Sequence, residues 1–265
     1  MFVGDLNDKG PESSVVVDRV VAWVRAGRAH AVMGNHELNA LAWNVRGESG
    51  KWLRPHTKGN RAHHAAHLRE AKANPWRYRE HLRFFRTLPL HLDLGDVRVV
   101  HACWHEESLE AFRELPDEPL SDATLRRMHT KGDPLHAAVE TALKGPGLKL
   151  PKALRYRDSA GKLRSQARMK WWEPQGASVA ELALLKTKPP KEEWKAMTAR
   201  QPKSRVAYQG SVPVFFGHYH LTGKPKVTAS NAVCVDWGAG SGRRLAAYRW
   251  SGGEVSAEGF VSVGV

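Results

Sequence analysis

Cysteine is almost missing from this sequence: Cys103 and Cys234 are its only two in 265 residues. Two thiols cannot build a disulfide framework or a structural zinc site, so both are expected to be reduced. No apolar run approaches the roughly 20 residues that a membrane span requires. The N-terminus has no basic region followed by an apolar core and a small-residue cleavage site. No membrane partner is expected, and the cytoplasm is the expected location. Acidic residues are the scarce charge, 27 against 41 Lys and Arg, which leaves +14 at pH 7. That excess favours anionic partners such as phosphate esters, nucleotides or nucleic acid. The basic residues are spread along the chain with no block of roughly five or six like charges, so nucleic-acid binding is the weaker of these readings.

What is present is one phrase, repeated with variations. The composition is globular, with 42% hydrophobic and 26% charged residues, and apolar runs end abruptly in residues that bind metals or move protons. Phe2-Val3 runs into Gly4-Asp5-Leu6-Asn7-Asp8-Lys9-Gly10-Pro11, and Ala31-Val32-Met33 into Gly34-Asn35-His36-Glu37. Val97-Arg98-Val99-Val100 runs into His101-Ala102-Cys103, and Val214-Phe215-Phe216 into Gly217-His218-Tyr219-His220. In open α/β sheets ligands bind beyond the carboxyl ends of strands, where loops carry side chains that packed strands cannot. A single run of this kind is an ordinary turn, since Asp, Gly and Pro serve turns for backbone reasons. Its recurrence at Asp5, Asn35, His101 and His218 implies a site. Mixed oxygen and nitrogen donors suit manganese, iron or zinc better than calcium. Two such ions about 3.5 to 4 Å apart, bridged by an aspartate, clamp the attacking and leaving oxygens of an in-line displacement at phosphorus. The implied reaction is hydrolysis of a phosphate ester or anhydride.

Between the motifs, Ser13 to Ala26 sets Val16, Val20, Trp23 and Val24 at helical spacing, with Ser13 or Ser14 as N-cap and Gly27 beyond the end. This predicts a crossover helix leading to a second strand, Arg28 to Met33, parallel to the first. Residues 37 to 45 read as helix and 46 to 59 as loop. Arg61 to Lys72 and Trp76 to Arg86 read as helices, the latter with Pro75 near its start and Pro89 past its end. His63 and His67 have a spacing that can bind a metal, but a polar, basic helix carrying His63, His64 and His67 reads better as a solvated face. Leu90 to Leu94 and Val97 to His101 form a predicted hairpin around Gly95-Asp96. From 106 to 205, prolines and charged stretches such as Lys186-Thr187-Lys188-Pro189-Pro190-Lys191 predict an inserted helical cap in a core of 1–105 and 206–265. Lys170-Trp171-Trp172-Glu173-Pro174 reads as packing of that cap, with a base-stacking platform as the alternative. Val206 to His220, Ala232 to Asp236, Arg244 to Trp250 and Val255 to Val263 return to the core as strands.

The ordered motifs resemble those of the calcineurin-like metallophosphoesterases, on the phosphoprotein-phosphatase branch that includes bacterial serine/threonine phosphatases and diadenosine tetraphosphatases. Gly4-Asp5-Leu6-Asn7-Asp8-Lys9-Gly10-Pro11 is similar to the family's Gly-Asp-x-x-Asp-Arg-Gly-Pro, Gly34-Asn35-His36-Glu37 matches its Gly-Asn-His-Glu, and His101 and Gly217-His218 match its later histidine motifs. The resemblance implies an α/β fold built as a two-sheet sandwich flanked by helices. It implies hydrolysis by a metal-bound hydroxide on a phosphoprotein or dinucleoside polyphosphate, with two divalent or trivalent ions, manganese first and iron or zinc next. Asp5 is then the bridging carboxylate, with Asn35, His101 and His218 completing the second metal site, and His36 is the general acid, oriented by Asp8. Lys9 stands where the family has a phosphate-gripping arginine, keeping the charge without the planar fork, and Asn35 joins it on the phosphate. His220 is a ligand in relatives with Gly-His-x-His and not in others, and both roles stay open. Cys103 reads as a small buried hydrophobe.

One departure from the family pattern is large. The family opens with Asp-x-His-Gly on a strand ahead of the Gly-Asp motif, and this chain begins after it. The expected fold therefore lacks the first strand, and the expectation is a start assigned too far downstream, with that motif encoded upstream. The competing class is a truncated, catalytically weak member acting as a basic phosphate- or nucleic-acid-binding protein.

Overall fold

Turn chemistry and capping fix the first helix, α1 (Ser13–Arg25), which Gly27 follows at φ +65°. Its buried face is Ser13, Ser14, Val17 and Val20: Val20 is inside as the spacing predicts, while Val17 takes the place of Val16, which is exposed. The displacement has a local cause. Ser13 Oγ accepts the Asp8 backbone N–H at 2.9 Å, so Ser13 is inside the helix and Glu12, not Ser13 or Ser14, is the N-cap. Trp23 leaves the core to stack on Phe2, with ring centroids 5.9 Å apart.

The computed structural model describes residues 1–115, 119–152, 155–157, 163–185, 189–202 and 205–265; Pro116 and the Lys186-Thr187-Lys188 stretch lie outside them. The chain divides into two compact units, Met1–Lys144 with Val212–Val265, and Gly145–Ser211. In the larger unit α2 (Asn35–Asn44) follows the second motif. The single helix predicted over 61–72 is broken into α3 (Lys58–His63) and α4 (Ala65–Ala73), with His64 between them. α5 (Pro75–Thr87) starts with proline at its first position, and the Asn74 side chain accepts the Arg77 N–H at 3.0 Å. Helices α6 (Glu106–Glu110), α7 (Asp122–His129) and α8 (Pro134–Lys144) follow. All three lie in the larger unit. α8 buries Leu135, Ala138, Val139, Ala142 and Leu143, and the Ala142 carbonyl accepts the Ala102 N–H at 2.8 Å, next to His101.

The predicted hairpin is β1 (His91–Asp93) with β2 (Arg98–Val100), turning at Gly95, φ +86°. The predicted pairing of residues 2–3 with 28–33 is reduced to one parallel bridge between Phe2 and Ala31. It ends because Gly4 and Asp5 turn to φ +86° and +57°, while Met33 N–H bonds Pro89 O and the Val3 carbonyl accepts from His101. β8 (Val214–Phe216) runs parallel to β2 and to β9 (Ala232–Cys234), giving a sheet of order β1-β2-β8-β9. A second sheet is antiparallel, made of β10 (Asp236–Trp237), β11 (Arg244–Tyr248) and β12 (Phe260–Gly264). Buried Phe215 and Val233 of the first sheet share a core with Tyr248 and Phe260 of the second.

The smaller unit pairs β3 (Gly147–Lys149), β6 (Gln166–Met169) and β7 (Ala183–Leu184) antiparallel, beside a two-stranded ribbon of β4 (Tyr156–Arg157) and β5 (Leu163–Arg164). With α9 (Val179–Leu182) and α10 (Lys191–Thr198) it encloses Leu148, Met169, Leu182 and Met197. Trp171 is fully buried and Trp172 nearly so, so this pair packs the unit and offers no open face for stacking. Among the described residues no helix is long and apolar enough to cross a membrane.

Candidate functional site

Backbone strain marks the place. Among the described residues the non-glycine positions with positive φ are Asp5 (57°), Asp8 (77°), His218 (70°) and His220 (51°), each of them read from the sequence as a site residue. Such conformations cost about 1–3 kcal/mol each and persist where the surroundings hold them. For Asp5 the holder is Glu37, fully buried at the start of α2. Its Oε2 accepts the N–H groups of Asp5 and Gly34, each at 2.8 Å, and its Oε1 accepts that of Leu6 at 2.7 Å. Glycine at 4 and 34 is required because the two backbones touch. A Cβ on Gly34 would lie 2.3 Å from Asp5 N, and one on Gly4 would lie 2.5 Å from Gly34 N.

This clamp brings the ends of several runs together. His101, 1% exposed at its side chain, directs Nδ1 to the Val3 carbonyl at 2.6 Å. A carbonyl only accepts, so Nδ1 carries the proton. The other nitrogen, Nε2, then faces Asn35 Oδ1 at 3.2 Å and Asp5 Oδ1 at 3.3 Å. His218 follows β8, where the Gly217 N–H bonds the His101 carbonyl at 2.8 Å, and its ring lies 5.1 Å from that of His101. One ligand-competent atom each from Asp5, His101 and His218 lie within 4.8 Å of one another. Two oxygens and a nitrogen lone pair pointing at one volume repel each other and suit a cation, and a histidine whose second nitrogen is tied to a carbonyl is the usual form of a metal ligand. Burial opposes ionisation of Asp5, but His101, His36, the His36 backbone N–H and Lys9 outweigh it, and its pKa is lowered. For neighbouring Glu37, burial and then the Asp5 charge raise the pKa.

Beside this set stands a histidine held by a carboxylate. His36 Nδ1 is 3.0 Å from Asp8 Oδ2, and its Nε2 is 3.9 Å from Asp5 Oδ2. Asp8 is buried, which works against its charge, yet hydrogen bonds from His36 and His64 lower its pKa from 3.8 to about 2. It is therefore a pure acceptor, and His36 Nδ1 donates to it. Burial lowers the proton affinity of His36, but Asp5 and Asp8 overcome it and its pKa is raised. Lys9 is exposed at the rim. His220 is tied to Asp236: its N–H bonds Asp236 Oδ2 at 2.9 Å and its Nε2 lies 3.7 Å from the same oxygen. Cys103 is buried, and burial pushes its thiol pKa well up.

The sequence reading missed Glu37, whose signal was a Glu three residues after the helix-capping Gly34. It also misread His64 and His67. Both are 0% exposed, not a solvated face, and His64 Nδ1 donates to Asp8 Oδ1 at 2.5 Å. Only His63 of the three is exposed.

Fold and site together define a mixed α/β protein with a metal-competent set of oxygen and nitrogen donors beside a carboxylate-held imidazole. No protein-family model matches the chain. Over 41 residues, 16% of this chain, it is 49% identical to a protein of Ralstonia nicotianae (strain ATCC BAA-1114 / GMI1000) named "Bis(5'-nucleosyl)-tetraphosphatase, symmetrical". That stretch covers 14% of the relative's own length.

Proposed function

We propose that this chain is a metal-dependent hydrolase of phosphate esters or anhydrides, with a two-sheet metallophosphoesterase core in the larger unit and residues 145–211 as its insertion. The observation that carries the reading is the convergence of Asp5, Asn35, His101 and His218 beside the Asp8–His36 pair. The similarity to a protein named as a dinucleoside tetraphosphatase supports an anhydride substrate of that kind, with phosphoprotein as the second candidate. Asp5, Asn35, His101 and His218 would hold the metal, and Asp5 has a second oxygen to share with a second ion. Bound there, a divalent ion supplies charge stabilisation at the phosphoryl oxygens and an acidified water.

The chain's own residues do the rest. Asp8 fixes His36 with its proton on Nδ1 and raises its proton affinity, so that the imidazolium form can give up the proton on Nε2 to the leaving oxygen. Lys9 at the rim supplies positive charge to the incoming phosphate, in keeping with the overall +14. Hydrolysis of an aryl phosphate and a dinucleoside tetraphosphate with added manganese tests the proposal. On an alkyl phosphate, whose leaving oxygen needs a proton, His36→Ala is expected to slow the manganese-dependent rate by about 10²-fold or more with bound manganese unchanged. Activity indifferent to manganese and to His36→Ala would refute it. Tight, salt-resistant oligonucleotide binding with no hydrolysis would favour the basic binding protein instead.

A further inference from the structure

Asp8 serves two imidazoles. Oδ2 takes His36 Nδ1 at 3.0 Å and Oδ1 takes His64 Nδ1 at 2.5 Å, on a carboxylate 1% exposed. His64 comes from the break between α3 and α4, 56 residues from Asp8. Its ring is wedged between Trp43, with centroids 5.6 Å apart, and His67, met edge-on at 5.3 Å and 81°. His67 is itself oriented, since the Asn7 side-chain amide lies 3.0 Å from its Nδ1. His64 Nε2 is buried with no hydrogen-bond partner among the described residues. Burying an imidazole with one nitrogen unsatisfied is unfavourable, and an apolar ring would pack between Trp43 and His67 without that penalty. The polar contact that offsets it is the one to Asp8.

We infer that His64 is a positioning residue for the acid-base pair: its Nδ1–H holds Asp8 Oδ1 so that Oδ2 stays aimed at His36 and the carboxylate stays charged. The inference rests on the proposed function and adds a residue to it. Without His64, Oδ1 loses its donor in a sealed site, the carboxylate is free to rotate, and His36 loses its fixed orientation and tautomer. The damage falls on protonation of the leaving group and not on metal or phosphate binding.

The test compares two substrates with added manganese. Cleavage of ethyl phosphate releases an alkoxide that needs a proton, whereas cleavage of p-nitrophenyl phosphate releases a stable phenoxide. His64→Phe preserves the packing and removes the N–H. It is expected to lower kcat on ethyl phosphate by about 10–100-fold, part of the roughly 10²–10⁴-fold that a positioned general acid contributes, and on p-nitrophenyl phosphate by less than about threefold. KM and manganese content should be unchanged. A second pair keeps the test sound if the Phe variant folds poorly. His64→Asn offers an amide N–H near the Nδ1 position and should restore most of the ethyl phosphate rate, whereas His64→Gln, whose amide sits near Nε2, should not. Equal losses on both substrates, no loss on either, no difference between Asn and Gln, or lowered manganese content would each overturn the role. Wild-type protein hydrolysing neither ester nor a dinucleoside tetraphosphate would remove the proposed function and this inference with it, which separates the two failures.

Discussion

Two groups of one carboxylate and two imidazoles lie close together in the larger unit, Asp5 with His101 and His218, and Asp8 with His64 and His67. By composition and proximity they are alike, but their protons differ. Around Asp8 each contact has a donor and an acceptor: His36 and His64 donate to the carboxylate, and the Asn7 amide donates to His67. Around Asp5, His101 has spent its proton on the Val3 carbonyl, and the atoms that face one another are acceptors. The Asp8 group is also sealed, at 1% exposure for Asp8, whereas Asp5 keeps 23%. A closed group whose contacts are donor–acceptor pairs stores orientation, even with Asn7 Oδ1, His64 Nε2 and His67 Nε2 left without partners among the described residues, and an open one whose facing atoms are acceptors suits a cation. Proximity of His and Asp alone does not separate a ligand site from its support.

The sharpest way to break this comparison is to remove one histidine from each group. His101→Ala is expected to lose bound manganese and to slow hydrolysis by more than about 10²-fold, since loss of a supporting partner alone costs 10–100-fold. His67→Leu, in the sealed group, should leave manganese content at the wild-type value. Metal analysis of the purified variants decides it, and a manganese loss in His67→Leu would make the two groups equivalent.

How far each group was legible in the sequence follows the same division. Asp5, Asn35, His101 and His218 each follow an apolar run, so their address was visible before any contact was known. Helix α5 was equally plain, with Pro75 at its first position and an amphipathic pattern. His64 and His67 were hidden because burial is a tertiary fact: flanked by Arg61 and Glu70, they read locally as polar surface, and nothing nearby announces that Asp8 lies against them. The same holds for α1, where the Ser13 bond to the Asp8 N–H moved the helix start and the buried face shifted to Val17. Between 106 and 144 the Ala142 contact to Ala102 is long-range and leaves no local trace in the sequence.

A smaller effect separates the groups through pH. His67 is held neutral by burial, and then by the ring of His64, with its pKa lowered from 6.5 to about 3. Below about pH 6.5 the unfolded chain binds a proton there that the folded chain refuses, so stability rises with pH between about 3 and 6.5 and is lost on acidification through that window. At full development this one residue contributes on the order of 5 kcal/mol of acid sensitivity. His67→Leu should therefore flatten the fall of Tm between pH 6.5 and 3 relative to wild type. Parallel Tm curves for the two proteins would mean that the sealed group is wetter than its burial implies.

The smallest expected effect lies at the rim of the open group, at Lys9. Its aliphatic stem runs over Gly240, where an added Cβ would sit 3.1 Å from both Lys9 Cβ and Cδ, and its charge helps to keep Asp5 ionised. The ammonium acts as a point charge without the planar fork that matches phosphate oxygens. Lys9→Ala should raise KM by about tenfold and Lys9→Arg should lower it by about threefold, both with kcat nearly unchanged, because a charge that meets the phosphate on entry binds ground state and transition state alike. Gly240→Ala should imitate Lys9→Ala in direction by displacing the stem without touching the charge. Steady-state kinetics on a single aryl phosphate are sufficient to read all of them. If Lys9→Ala instead lowers kcat at constant KM, the lysine grips the phosphoryl group only as charge builds on it, and it belongs with His36 in the chemistry and not with substrate capture.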